Sequence, residues 1–225
     1  MPKISCCIIT MNQSNRLSLA INVIKRYVDE IVVVDGGSKD DSVQVAKNLG
    51  AKVYYRKWDD DFGAQRNHSL EKAVNPWVLV LDSDEVFDFG SADNNFQKMI
   101  SKNPDADGFM FTRSNFLDNQ KTGSVGDFDK QLRLFQKVKG RYTEKIHESA
   151  RGLKKVIEIP KDECILLHYK TKNEQRQHLK YQRQLMIDFI ASLEAKNELS
   201  EEEQKTLKYE KDLLKRWDIW WKDAK

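Results

Sequence analysis

No stretch of this sequence reaches the roughly 18 uninterrupted apolar residues that a membrane-crossing helix needs, so no helical span is expected in it. The N-terminus, MPKISCCIIT, runs directly into strand-like residues without the layout of a secretion signal, which points to a cytoplasmic protein. Cysteine is scarce. Cys6, Cys7 and Cys164 lie in apolar runs, without the paired spacing of a metal site or the framework of a disulfide scaffold, and read as small buried thiols in a reducing compartment. Internal repeats and low-complexity segments are missing as well, so nothing suggests a solenoid or a compositional tail.

What is present is a chain of 225 residues, 40% apolar and 32% charged, enough to bury one substantial core and a small appendage. The net charge of +3 is modest but unevenly spread, since residues 130–183 hold 15 Lys and Arg against 6 Asp and Glu. Such a stretch is either a solvated surface or a face toward a phosphate-bearing partner.

The first hundred residues alternate strand and helix signals at short intervals, which predicts a parallel sheet with helices on its faces. KISCCIIT (3–10), EIVVV (30–34), AKVYY (51–55) and WVLVL (77–81) are continuous apolar runs, as strands buried on both sides require. RLSLAINVIKRY (16–27), VQVAKNLG (43–50) and AQRNHSLEKAV (64–74) are the helices between them, the second ending on the glycine expected just past a helix. After Asp88, GFMFTRSNF (108–116), KQLRLFQK (130–137), KVIEIP (155–160) and CILLHY (164–169) alternate more clearly and lack long helices, predicting a more antiparallel, one-sided layer. From Asn173 the pattern is helical. Leu179, Leu185, Met186, Phe189, Ile190 and Leu193 share one face, and Ser200 with Glu203 makes a capping box for a last helix carrying Leu207, Leu213, Leu214 and Trp217. The expected division is an α/β domain over residues 1–172 and a helical extension over 173–225.

The segment WVLVLDSDEVFD (77–88) turns abruptly from apolar to acidic, with four carboxylates in seven positions. In open parallel sheets, ligands bind beyond the carboxyl ends of the strands, and two of the four strands end in acid, at Asp35 and at Asp82 with Asp84. Alternation along an extended DSD puts Asp82 and Asp84 on the same side, where their repulsion is relieved by a hard divalent cation bound through oxygen. Capping of the following turn is the other explanation. Asp35-Gly36-Gly37-Ser38, between strand and helix, offers a tight turn, close backbone approach to a ligand and a carboxylate placed for a ribose or base donor.

The order CIITMNQ, IVVVDGGSKDDS, DFGAQRNHSLEKA, WVLVLDSDE, QLRLF, KIHE and LLHY resembles the family 2 glycosyltransferases of the GT-A fold, particularly bacterial members acting on lipopolysaccharide core and related glycans. The likeness runs from about residue 3 to residue 183. It implies a Rossmann-like mixed sheet flanked by helices, and a nucleotide-diphosphate sugar donor. Thr10 and Asn12 match positions where the family holds the nucleotide, Asp35 the acid that contacts base or ribose, and Arg66 and Asn67 a block near the donor phosphates. An arginine there can bind phosphate oxygens in a forked way. Asp82 and Asp84 match the DxD motif, whose carboxylates bind Mg or Mn and through it the diphosphate; Glu85 is read as favouring a following helix.

Sugar transfer also needs a base for the attacking hydroxyl. Glu148 in KIHE is the first choice for it, with Asp129 before QLRLF as the rival; His168 in LLHY is the expected third metal ligand, against a satisfied core histidine. His147 is a candidate to orient donor or base, and Gln131 and Arg133 are read as acceptor-side or structural. The familiar tyrosine-asparagine pair after the first strand is Met11-Asn12 here, which puts the acceptor more in doubt than the donor chemistry.

The resemblance points to a metal-dependent, inverting transferase whose acceptor is a glycan, a lipid-linked glycan or another phosphate-bearing molecule. Three alternatives stay open: an enzyme acting on hydroxymethylated bases of phage DNA, a sugar nucleotidyltransferase, and a non-catalytic module binding nucleic acid or membrane. CIITMNQSNR lacks the glycine-rich basic loop of the nucleotidyltransferases. Trp217, Trp220 and Trp221 beside lysines suit packing against a core or a second subunit, giving a homodimer through the C-terminal helices, or else peripheral contact at the inner face of the membrane.

Overall fold

The four apolar runs of the first half become four parallel strands; three are buried on both faces, as runs without polar alternation require, whereas the run at 52–55 lies at the sheet edge and is partly exposed, contrary to expectation. A computed structural model describes residues 1–91, 94–121, 129–146 and 148–223, with the side chains of 121, 129 and 216–223 outside the description. Strands β1 (Ile4–Thr10), β2 (Glu30–Asp35), β3 (Lys52–Tyr55) and β4 (Trp77–Asp82) lie in the order β3-β2-β1-β4. Helices α1 (Ser14–Ile24), α2 (Ser42–Asn48) and α3 (Phe62–Lys72) connect them.

Alternate residues of each strand feed two cores. Ile4, Cys6 and Ile8 of β1 pack with Leu17, Ile21 and Ile24 of α1 and Ala46 of α2. Cys7, with Val32, Val78 and Val80, packs instead with Leu70 of α3 and with Ala73, Phe135 and Tyr142. Each fully buried aliphatic side chain contributes about 1.5–3 kcal/mol. All three cysteines are free and buried, and burial pushes the Cys7 thiol up to about 12.

Strand β5 (Glu85–Phe89) follows β4 after a two-residue turn, and α4 (Phe96–Lys102) follows it. The sequence reading assigned neither, and Glu85 opens a strand where a helix was expected. Phe96 of α4 sits with its ring centroid 5.0 Å from those of Phe87 and Phe89, so β5 is held by an aromatic cluster rather than by an apolar run of its own.

The remaining strands are β6 (Gly108–Leu117), β7 (Gln120–Lys121), β8 (Asp129–Gln136), β9 (Arg141–Tyr142), β10 (Ala150–Arg151), β11 (Val156–Ile159) and β12 (Cys164–Lys170). They do not form the separate antiparallel layer that their alternation suggested. The same sheet continues as β4-β8-β6-β12-β5, with β8 antiparallel to both neighbours and β11 and β12 parallel to successive halves of β6. Phe109, Phe111, Leu134, Ile159 and Leu166 join the core of Ile8 and Leu79, so one hydrophobic layer runs under both halves. Strands β9 and β10 pair only with each other.

The chain divides into two compact units, Met1–Thr171 and Lys172–Lys225. The second is a pair of helices, α5 (Lys172–Glu194) and α6 (Glu201–Asp223), packed on one another. Leu185, Met186, Ile190 and Leu193 of α5 are buried as the apolar stripe predicts. Ser200 and Glu203 form the capping box, each side chain accepting from the other's backbone N–H at 3.2 and 2.9 Å. The tryptophan side chains of α6 lie outside the described residues. No helix among the described residues is long and apolar enough to cross a membrane.

Candidate active site at the strand ends

Because β1, β2 and β4 are parallel, their carboxyl ends share one edge of the sheet. Thr10 lies opposite Asp35, and Ile9 opposite Asp82. Asp35 and Asp82 are therefore two strands apart, about 10 Å at the usual strand spacing. The Asp35 carboxylate accepts from the backbone N–H of Gly37 at 2.9 Å and of Ser38 at 3.0 Å, in a turn that needs glycine at position 37, where φ is +114°. Asn12 ties this turn to the end of β1. Its N–H donates to Ser38 Oγ at 2.8 Å and its Oδ1 accepts from Lys39 N at 2.7 Å. Thr10 is buried, and its hydroxyl has no hydrogen-bond partner among the described residues.

The DSD segment is a turn rather than an extended run, and its two carboxylates take different partners. Asp82 accepts from Arg66 Nη2 at 2.8 Å through one oxygen and from Arg133 Nη2 at 2.9 Å through the other. Its burial would raise the carboxyl, but the two guanidinium charges hold it far below the ordinary carboxylate range. Behind it, Glu85 is fully buried; it takes Arg133 Nη2 at 2.5 Å and the Asp82 N–H at 3.2 Å, with Arg113 Nη1 at 3.4 Å.

Asp84 turns toward the end of β12. Its backbone carbonyl accepts from Tyr169 N at 3.0 Å, which pins the turn to β12 and sets Asp84 Oδ2 3.3 Å from His168 Nε2 and 3.6 Å from Lys170 Nζ. Burial raises the Asp84 carboxyl, yet the His168 bond and the charges of His168 and Lys170 outweigh it and hold the group below its usual range. His168 faces Asn115 across the ladder, with Nδ1 2.7 Å from Asn115 Oδ1.

The third component arrives from the β9–β10 hairpin. Glu148 Oε1 accepts from Arg66 Nε at 2.7 Å, so one guanidinium joins the DSD turn to a carboxylate far along the chain. Arg66 is buried, its charge reinforced by Asp82 and Glu148 against a burial that disfavours it, and its Nη1 has no hydrogen-bond partner among the described residues. Tyr142 lies 5.8 Å from the guanidinium, and burial pushes its hydroxyl up to about 12. Asn67, expected in the donor-binding block, has its amide on the Tyr142 backbone: Nδ2 donates to the carbonyl at 2.7 Å, and Oδ1 accepts from the N–H at 3.1 Å.

The residues fit a divalent cation at one place. Adjacent ligands of Mg or Mn, at bond lengths near 2.1 Å, stand about 3 Å apart, and Asp84 Oδ2 and His168 Nε2 are 3.3 Å apart. His168 turns Nδ1 to Asn115 and Nε2 to the Asp84 carboxylate, so a cation between Nε2 and that carboxylate would find a ligand on each side. Among the described residues, no group of three or more His, Cys, Asp or Glu side chains is placed to hold a metal ion.

With this geometry in view, comparison with known proteins is decisive for the family. The family described as glycosyl transferase family 2 matches residues 5–158. The chain belongs to that family. An uncharacterized glycosyltransferase of Rickettsia felis is 36% identical over 141 residues, 61% of this chain and 49% of its own length. The chain thus spans about half or less of the length of the curated relatives it matches first. S. aureus TarS 1–349 in complex with UDP-GlcNAc is 14% identical, covering 91% of this chain and 70% of that one at a TM-score of 0.56. Mannosyltransferase PcManGT from Pyrobaculum calidifontis, in complex with GDP-Man and Mn2+, is 12% identical, covering 95% and 70% at a TM-score of 0.57. These neighbours show the GT-A fold.

Within this family 2 chain, the structure joins Arg66, Asp82 and Glu148 in one set of ion pairs and Asp84 with His168 in a second beside it, with Thr10, Asn12 and Asp35 along the same edge. Asp129 opens β8 opposite Arg113, and its side chain, like His147, lies outside the described residues. Sequence reading missed Lys170, Asn115, Arg113 and Tyr142 and left Arg133 undefined. The one available signal was polar residues at alternate positions of apolar strands, as in LRLF and LLHYK. Much of the basic stretch is spent in ion pairs: Lys130 with Glu158, Arg141 with Glu71, Arg151 with Glu144, Lys139 with Asp107.

Proposed function

We propose that the protein transfers a sugar from a nucleoside-diphosphate donor to an acceptor hydroxyl, with inversion at the anomeric carbon. The observation that carries this reading is the Arg66 bridge, 2.8 Å to Asp82 and 2.7 Å to Glu148, which sets a second carboxylate beside the DSD turn. The nucleotide sugars held by TarS and PcManGT support such a donor, and the Mn2+ of the latter supports a cation.

In this mechanism Asp35, Asn12 and Thr10 receive the nucleoside, and the span of about 10 Å to Asp82 leaves the diphosphate over the DSD turn. Asp84 and His168, with Asp82 beside them, would hold Mg or Mn. When bound, that ion supplies positive charge to the departing diphosphate. Glu148 accepts the proton of the acceptor hydroxyl as its oxygen forms a bond to the anomeric carbon. The carbon–oxygen bond to the diphosphate breaks on the opposite side, and one positioned base suffices. Arg66 and Arg133 keep Asp82 ionised throughout.

The proposed organisation is a catalytic domain over residues 1–172 and a helical extension over 173–225. The proposed setting is the cytoplasm, in keeping with three free buried thiols; the acceptor is proposed to be a glycan or lipid-linked glycan. Incubation with UDP-glucose, UDP-GlcNAc and GDP-mannose, with and without Mn2+, tests the reading. At least one donor should release nucleoside diphosphate, and Glu148→Gln should lower that rate by roughly 10²–10⁴-fold. Formation of nucleoside triphosphate and sugar 1-phosphate from these donors when pyrophosphate is added, or full activity in Glu148→Gln, would contradict it.

A further inference from the structure

We propose that the first turns of α3 act as a clamp that positions Glu148, with Asn67 and Gly63 as positioning residues; this rests on Glu148 being the base. Four residues of α3 face the segment after β8. The Phe62 N–H donates to the Lys145 carbonyl at 2.9 Å. Gly63 lies so close that a Cβ there would stand 2.2 Å from the Glu144 carbonyl oxygen, too near for any side chain. Arg66 Nε holds Glu148 at 2.7 Å, and Asn67 closes both hydrogen bonds of the Tyr142 backbone at 2.7 and 3.1 Å. Positions 62, 63, 66 and 67 share one face of a helix, and their partners run from 142 to 148.

The hairpin needs such support. Strands β9 and β10 are two residues each and pair only as Tyr142 with Ala150 and Arg141 with Arg151, and an isolated two-stranded ribbon of that length does not hold its shape in water. Burial of the Tyr142 ring against Phe135 anchors one end of the hairpin, and α3 fixes the rest of it, Glu148 included, relative to the DSD turn. Asn67 is a poor phosphate ligand in this arrangement, because a donor oxygen would have to displace a backbone partner from its amide. The block GAQRN is thus assigned to geometry: a close-approach glycine, a guanidinium linking two carboxylates, and an amide clip.

The test compares Asn67→Asp, which removes the donor to the Tyr142 carbonyl, with Gly63→Ala, which drives a methyl group into Glu144. Three quantities are read: amide exchange of peptides covering Arg141–Ile146, the kcat and KM of donor hydrolysis on UDP-glucose, UDP-GlcNAc and GDP-mannose, and the pH profile of kcat. Both variants should speed exchange in that segment and lower kcat by roughly 10- to 100-fold, as small misplacements of a reacting group do. Donor KM should stay within about twofold, and the acidic limb of the profile should move. A raised KM with unchanged kcat would overturn the proposal and return Asn67 to the donor site. Unchanged exchange in Asn67→Asp would overturn the clamp itself, whatever the activity. Full activity in Glu148→Gln would remove the base instead, leaving exchange to judge the clamp alone. Should Gly63→Ala fail to fold, Asn67→Ser, which shortens the clip without adding charge, carries the same expectations.

Discussion

Arg66 shows why a buried strand can end in a concentration of acid. Asp82, Asp84, Glu85 and Glu148 are matched by Arg66, Arg113, Arg133, Lys170 and His168, so the carboxylates are ordered by cations rather than left to repel. Removing one partner of such a network leaves a buried charge uncompensated. Arg66→Met is therefore expected to lower unfolding free energy by about 3 kcal/mol, measured by urea denaturation. Arg66→Lys should recover part of this, because a lysine keeps the charge but lacks the fork that reaches two carboxylates. Equal stabilities for the two variants would show that charge alone matters. At this scale the sequence was informative where a residue type has few uses: acids after strands, a histidine closing LLHY, and a glutamate in KIHE. Arg133 was ambiguous because an arginine in an alternating strand looks solvent-facing until the register places it over Asp82 and Glu85.

At the scale of elements, the parallel half was legible because continuous apolar runs admit few structures other than doubly covered strands. The second half was harder. Alternation in GFMFTRSNF and KQLRLFQK signals strands correctly, yet does not say which edge they join, and pairing of β6 with β8, β11 and β12 is a long-range choice. Strand β5 escaped notice because its sequence, EVFDF, is short and acidic and is stabilised by aromatic contacts with α4. Asp107 marks how the long-range junctions are held. Its carboxylate accepts from Lys139 and from the backbone of Lys154 at 2.6 Å and Lys155 at 3.0 Å, which join β6 to the segments before β9 and β11. The Lys139 bond first, then the two backbone bonds, lower its pKa from 3.8 to about 2. A lowered carboxyl pKa contributes stability that is complete above pH 3.8 and is lost as pH falls toward about 2. Thermal unfolding followed from pH 5 to about pH 2 should show a fall that Asp107→Asn partly flattens. An unaltered pH dependence would remove Asp107 from the account. On α6, Ser200→Ala should cost about 1 kcal/mol in local helix stability, read by amide exchange of the residues after the cap.

At the scale of the whole molecule, the catalytic reading needs only the first unit, Met1–Thr171. A protein ending at residue 172 is expected to keep nucleotide binding, and its loss on truncation would give the helical pair a part in the site. The central claim is electrostatic: Asp84 and His168 hold a divalent cation against a diphosphate. The most direct measurement is calorimetric titration of UDP and of GDP, with and without Mn2+, into the full chain and its Asp84→Ala and His168→Ala variants. The account predicts that Mn2+ tightens one nucleotide at least tenfold in the unaltered chain, about 1.4 kcal/mol, and that either substitution removes this gain in a folded protein that still binds the nucleotide without Mn2+. Nucleotide binding that is indifferent to Mn2+, or a gain that survives in both variants, would contradict it.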